Sequence, residues 1–469
     1  MLPLVTCGLL IACGGTGTGG VTPPPGNGGG GGVPKPQCIA PLSLQTSAQS
    51  GVQLGTLSVS GHADLADWSL PHVKGQVLLI GAPALQSLSL AGKQALAGTS
   101  REAVPGTNLQ LLRTPAGQSD RAFAAQLTGA GLSVQPNYVY SALAKPNDPG
   151  YPDPSYPGVQ VDGQKYDQDY LTRINAQAGW DAVQAAGCSP AGAVVAVLDT
   201  GVDRAHPDLT GRLLPGYDFC AKVDSDDNCT SEDTDPSEAT GGDVGHGTSS
   251  VGLIGAATNN KLGIAGLTWG GRNVLPVKVF GDTGGATTTS LAAGIRYAVK
   301  QGAKVINMSL GFVGSSDPTI AAAIKEAVTA DVVLVAAAGN TPNDGLYYPA
   351  SDPNVLAVGA VGQSNDLASY SARPKSGQKP LDLVAPGGVG ASSGFNILSL
   401  TTVADGSYAL WAGTSEAAPQ VAGAASLIRA FRPKLTQAQV RSVLTSSASS
   451  VSGGRLLNVG AAIKKAGSL

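Results

Sequence analysis

The chain has 469 residues, 42% of them apolar, which is enough to bury a large core and excludes disorder throughout. Glycine (65) and proline (31) are abundant while charged residues are only 13%, a pattern of many turns and a sparsely charged surface that suits an exported, compact enzyme better than a charged cytosolic one. With 29 basic against 32 acidic side chains the net charge is −3, which gives no electrostatic footprint for nucleic acid or an anionic membrane.

Residues 1–13 hold an apolar run well short of the roughly 20 residues a membrane helix needs, and they read as the core of a signal peptide. The tetrapeptide Leu10-Ile11-Ala12-Cys13 resembles a bacterial lipobox, in which Cys13 would be lipidated and tether the chain; the alternative is an ordinary cleaved signal. No basic residue precedes Lys35, a departure from the usual signal-peptide start. Residues 14–37 are nearly all Gly, Pro and Thr and read as a solvated linker. Residues 38–72 alternate weakly and show no chemical signature.

Residues 73–145 read as a small α+β unit. Lys74 to Ile80, Leu109 to Leu112 and Val134 to Tyr140 have strand character, and Asp120 to Gly129 has helical character. Pro146-Asn147-Asp148-Pro149-Gly150 punctuates the chain and marks a boundary. In residues 146–469, apolar runs of strand length (Ala193 to Leu198, Val305 to Leu310, Val332 to Ala338, Val355 to Val361) alternate with helical spacings such as Leu291, Ile295, Ala298 and Ile320, Ile324, Ala327. Continuously apolar strands alternating with helices predict a parallel sheet covered on both faces, whose chemistry gathers at the carboxyl ends of the strands.

Four segments carry chemistry-bearing residues. Asp199 follows the first of these strands in Leu198-Asp199-Thr200-Gly201, and His246 opens a helix of small residues in Gly245-His246-Gly247-Thr248. Of the other three histidines, His62 and His72 precede this region, and His206 sits in a proline turn where a structural role fits better. Asn340 ends the run Ala336-Ala337-Ala338-Gly339, where its amide can donate to an oxyanion. Ser415 enters a helix almost devoid of bulky side chains, where the first N–H groups and the helix dipole face a developing negative charge.

Taken together in the order Asp, His, Asn, Ser, these segments resemble the subtilisin-like serine proteases; chymotrypsin-like enzymes run His, Asp, Ser, and α/β-hydrolases run Ser, acid, His. The resemblance implies a three-layer α/β fold with a mostly parallel central sheet, preceded by a small α+β inhibitory propeptide over residues 73–145. It implies an exported endopeptidase of broad specificity, made as a self-inhibited monomeric precursor. Its partners would be protein or peptide substrates and its own propeptide. Ser415 would be the nucleophile, His246 the base, Asp199 its orienting acid and Asn340 an oxyanion donor, with no cofactor for the chemistry. Substrate would add as a strand beside Met308-Ser309-Leu310-Gly311, with Ser309, Leu310, Gly311, Ala337, Ala338 and Gly339 binding it in a roomy apolar pocket. If Cys13 is lipidated, self-cleavage within about Tyr140 to Asp148 would release the mature enzyme from its anchor unless the prosegment stays bound or disulfide-linked.

Several features stand apart from the family pattern. Glu416 follows the serine where methionine is usual; it removes an oxidation-sensitive thioether, and its charge would raise the pKa of His246. Ser249, Ser250 and Gln420 are smaller departures. Asp224, Asp226, Asp227, Glu232, Asp233, Asp235 and Asp243 make an acidic stretch that reads equally as a structural calcium site, which the family often uses, or as a solvated loop. Within it Cys220 and Cys229, nine positions apart, are expected to pair, leaving Cys38 and Cys188 unassigned.

Overall fold

The computed structural model describes residues 68, 72–81, 88–104, 107–138, 145–225, 228–238, 244–282, 285–314, 316–390 and 393–469. Cys13, Cys38, the linker and nearly all of the 38–72 segment lie outside these residues, as do Asp226, Asp227 and Asp243. Among the described residues no helix is long and apolar enough to cross a membrane.

The first folded unit runs β1 (His72–Leu79), α1 (Leu90–Ala95), β2 (Arg101–Ala103), β3 (Gln110–Arg113), α2 (Asp120–Gly129) and β4 (Val134–Tyr138). Its antiparallel sheet has the order β2-β3-β1-β4, a split β-α-β arrangement in which β1 and β3 occupy the centre. Period-2 alternation in β1 buries Val77 and Leu79 against Phe123 and Leu127, one helical turn apart on α2. Ser119 caps α2 by accepting the Ala122 amide.

The second unit begins with a hairpin, β5 (Val159–Val161) and β6 (Gln164–Tyr166), and two helices, α3 (Asp169–Arg173) and α4 (Ala176–Ala185). It continues through β7 (Val195–Asp199), β8 (Tyr217–Val223), β9 (Cys229–Asp233), α5 (His246–Gly255), β10 (Val274–Lys278), α6 (Thr288–Lys300), β11 (Val305–Met308), α7 (Pro318–Thr329), β12 (Val333–Ala337), β13 (Leu356–Val361) and β14 (Leu383–Pro386). It closes with the hairpin β15 (Ile397–Leu400) and β16 (Tyr408–Trp411), α8 (Thr414–Phe431), α9 (Gln437–Ser447), β17 (Ser449–Val451), β18 (Gly454–Leu456) and α10 (Val459–Gly467).

Ten strands form one sheet in the order β17-β18-β14-β13-β12-β11-β7-β10-β8-β9, antiparallel only at its two outermost pairs. Alternate residues of β7 divide between two cores. Val195 and Val197 pack with residues of α5 and α8 on one face, and Ala196 and Leu198 with residues of α6 and α7 on the other. Both faces are covered, so the strand reads as continuously apolar and the fold is a three-layer α/β sandwich. β10 ends in Lys278, a buried ammonium that the sequence pattern gave no reason to place in a central strand; it lies 3.3 Å from Asp218 and 2.6 Å from Asp282. Cys220 and Cys229 are joined by a disulfide across the β8–β9 pair. Cys188 is disulfide-bonded as well.

Candidate active site

The carboxyl ends of β7, β11 and β12 and the amino ends of α5 and α8 converge on one cleft of about 450 Å³. Gly245 caps α5 with φ +85°, and a Cβ there would come within 2.4 Å of Thr401 Oγ1, so glycine is required for His246 to start the helix where it does. His246 Nδ1 lies 2.6 Å from Asp199 Oδ1, which also accepts the Thr200 amide at 2.8 Å. Asp199 is 1% exposed and Oδ2 has no hydrogen-bond partner among the described residues. Nδ1 is thus the ring nitrogen committed to the carboxylate. Trp411 stands edge-on to the imidazole with centroids 6.3 Å apart.

Ser415 is held by a consequence of Pro419. Proline has no N–H to return to the carbonyl four residues earlier, so the Ser415 carbonyl is free of the helix ladder and accepts instead from Ser309 Oγ at 2.9 Å. Ser309 Oγ in turn accepts from Asn307 Nδ2, and Ser415 Oγ donates to the Ser309 carbonyl at 3.2 Å. Thr414 donates to Asn340 Oδ1 from both its amide and its hydroxyl at 2.9 Å. That fixes which end of the Asn340 amide is oxygen and leaves Nδ2 as a donor. A Cβ built on Gly413 would sit 3.2 Å from Asn340 Nδ2 and 3.5 Å from Ser415 N, so both nitrogens border one small space at the head of α8.

Ser309, Leu310, Gly311, Ala337 and Gly339 line the same cleft. Ala338 does not: it is fully buried in the core on the α6–α7 side, because alternation along the strand turns it away from its neighbours. Tyr347 supplies a wall the sequence did not announce. Its ring packs where a Gly339 Cβ would be, 2.4 Å away, and its hydroxyl is 2.5 Å from Thr341 Oγ1. His206 is a structural residue: buried, it accepts the Asp208 amide through Nδ1 and lies with Nε2 2.9 Å from the Ser407 carbonyl.

Glu238 is a further unannounced member. One carboxylate oxygen accepts the Thr200 hydroxyl, and the other accepts the Thr248 amide at 2.9 Å and the Thr248 hydroxyl at 2.5 Å. Thr200 Oγ1 accepts the Gly247 amide at 2.9 Å. Glu238 therefore ties the turn after Asp199 to the first turn of α5. Burial pushes its carboxyl up, hydrogen bonds from Thr200 and Thr248 oppose this, and Asp199 adds to the rise.

A family model described as the Subtilase family matches residues 191–462. The chain belongs to the subtilase family. It is 35% identical over 320 residues to a thermophilic serine proteinase of Bacillus sp. (strain AK1), covering 68% of each chain. It is 36% identical over 282 residues to thermitase of Thermoactinomyces vulgaris, covering 60% of this chain and 88% of thermitase. A solved protease structure from Pseudoalteromonas arctica PAMC 21717 superimposes with a TM-score of 0.57 at 32% identity, over 69% of this chain and all of that one. The chain is thus a subtilisin-like serine endopeptidase, and subtilases need no cofactor for their chemistry.

Proposed function

We propose that this subtilase is an exported endopeptidase of broad specificity that cuts peptide bonds through an acyl-enzyme on Ser415. The observation that carries the reading is the 2.6 Å Asp199–His246 pair in the cleft that also holds Ser415 and Asn340. Ser415 Oγ attacks the scissile carbonyl carbon as its proton passes to His246 Nε2, and Asp199 stabilises the imidazolium. The oxyanion is held by Asn340 Nδ2 and the Ser415 amide, donors of a kind each worth about 100- to 1,000-fold in rate. The C–N bond then breaks as His246 returns the proton to the leaving amine, and water repeats the sequence to free the acid and Ser415. Extended substrate lies along Ser309 to Gly311 on one side and Ala337 to Gly339 on the other, and pairs with their backbone.

The α+β unit over residues 72–138 is the inhibitory propeptide in this reading, removed by self-cleavage between residues 140 and 148. Lipidation at Cys13 would tether the precursor. Among the described residues no three His, Cys, Asp or Glu side chains gather into a metal site. Of the acidic stretch that reads as a structural calcium site or a solvated loop, Asp224, Glu232, Asp233 and Asp235 are exposed, and Asp226, Asp227 and Asp243 lie outside the described residues. Asp148 and Asp208 are fully buried carboxylates satisfied by N–H donors: Asp148 accepts the amides of Asn259 and Asn260, and Asp208 accepts from Ile264 N and Asn260 Nδ2.

Intact mass and N-terminal sequencing of the precursor and of its Ser415→Ala form, alongside casein hydrolysis, test the reading. The wild type is expected to shorten near residue 145 and digest casein while the variant stays full length and inert. Shortening of both equally would show that Ser415 does not process its own chain.

A further inference from the structure

Glu416 is a carboxyl group, 3% exposed, in the wall of the catalytic cleft. The point where a Gly413 Cβ would lie is 2.9 Å from Glu416 Oε2 as well as 3.2 Å from Asn340 Nδ2 and 3.5 Å from Ser415 N. The carboxyl oxygen therefore borders the space shared by the two oxyanion donors. We propose that Glu416 sets the alkaline limit of turnover: a neutral carboxyl is compatible with the anion that forms at those donors, and a carboxylate opposes it. This rests on the acyl-enzyme reading above and assigns Glu416 no contact with the scissile bond.

The titratable groups facing Glu416 are His246 from the start of α5, Asp199 from the end of β7, and Tyr370, whose hydroxyl donates to the Gly387 and Gly388 carbonyls. Burial pushes Glu416 up to about 7, with His246 pulling it down and Asp199 pushing it further up. The carboxyl is thus neutral below neutrality and charged above it. Above that point its charge acts on both halves of the transition state. It favours the imidazolium, which already has Asp199 as its counter-ion, and disfavours the oxyanion, whose only partners are neutral N–H groups. The second effect dominates, because Asp199 already balances the imidazolium and nothing charged balances the oxyanion; a unit charge about 4 Å from a half-developed charge at an effective dielectric near 20 alters a rate by about 10- to 100-fold.

The test is kcat/KM for a peptide substrate from pH 5 to 10, measured on the wild type, Glu416→Gln and Glu416→Met, with circular dichroism at each pH to show that all three stay folded. Relative to both variants at the same pH, the wild type is expected to lose about 10- to 100-fold between pH 6 and 9. An alkaline limb of the same position and depth in all three proteins overturns the proposal, as does a wild type that outpaces the variants at pH 9. Phosphonyl fluoride labelling of Ser415 separates the two levels of failure. Absence of labelling and of turnover at every pH overturns the acyl-enzyme reading and this proposal with it, whereas labelled, active protein with unchanged pH profiles overturns this proposal alone.

Discussion

Glu238 touches neither the cleft wall nor the substrate path, yet its two oxygens hold Thr200 and Thr248, residues adjoining Asp199 and His246 on either side of the pair. Removing it with Glu238→Ala leaves the Thr200 and Thr248 hydroxyls and the Thr248 amide without their acceptor, and loosens the Asp199–His246 geometry. The expected result is a fall of about 10- to 100-fold in kcat with KM near the wild-type value, since small displacements of catalytic groups cost rate before they cost binding. Steady-state kinetics on a short peptide substrate checks this, and a change confined to KM would contradict it. The segments that hold Asp199, His246, Asn340 and Ser415 stand out in the sequence because glycines and short apolar runs flank each of them. Glu238 does not, because it sits in an acidic stretch that looks like solvated loop and gains its role only from threonines 10 and 38 residues away.

At the scale of elements, α8 is a helix made to stop short of satisfying its own first turn. Pro419 deprives the Ser415 carbonyl of a helical donor, and Ser309 just past the end of β11 fills the gap, so strand and helix are joined at Ser415. Ser309→Ala should leave a carbonyl without its donor at a cost of about 1–3 kcal/mol. Chemical denaturation in a Ser415→Ala background, which avoids autolysis, measures it; a midpoint unchanged from the parent would show that the bond contributes nothing. The periodicity of α6 and α7 and the apolar runs of β7, β11, β12 and β13 identified those elements within a few residues of their ends. The edge pieces β2, β9 and β17 carry no continuous apolar run, since a strand with one face in water need not be apolar. Ala338 shows the limit of reading a run as a site: three successive alanines look alike in sequence, but the pleat sends neighbours to opposite faces.

For the molecule as a whole, the buried carboxylates determine how stability responds to pH. Burial raises Asp208 to about 6, with backbone and side-chain hydrogen bonds opposing and Asp148 adding to the rise, while burial likewise raises Asp148. The folded state thus holds a proton on Asp208 more tightly than the unfolded chain does. In chelator, stability is greatest below about pH 4 as far as this group is concerned and is lost as the pH rises through about 6, by about 3 kcal/mol in all. Thermal melts of the Ser415→Ala protein from pH 4 to 8 in EDTA, with Asp208→Asn as control, measure this; equal slopes in the parent and Asp208→Asn would refute the role of Asp208.

The sequence by itself determined the fold class, the alternation that builds a sheet covered on both faces, and the order of the four chemical residues, because periodicity and local turn chemistry are properties of neighbouring residues. Tertiary structure alone decided that Glu238 ties the turn after Asp199 to the first turn of α5, that Tyr347 walls the pocket and that Glu416 lies beside Asn340 Nδ2 and the Ser415 amide. Those are matters of distance and dielectric between segments far apart in the chain, and a carboxyl group's charge depends on its burial, which sequence spacing does not contain.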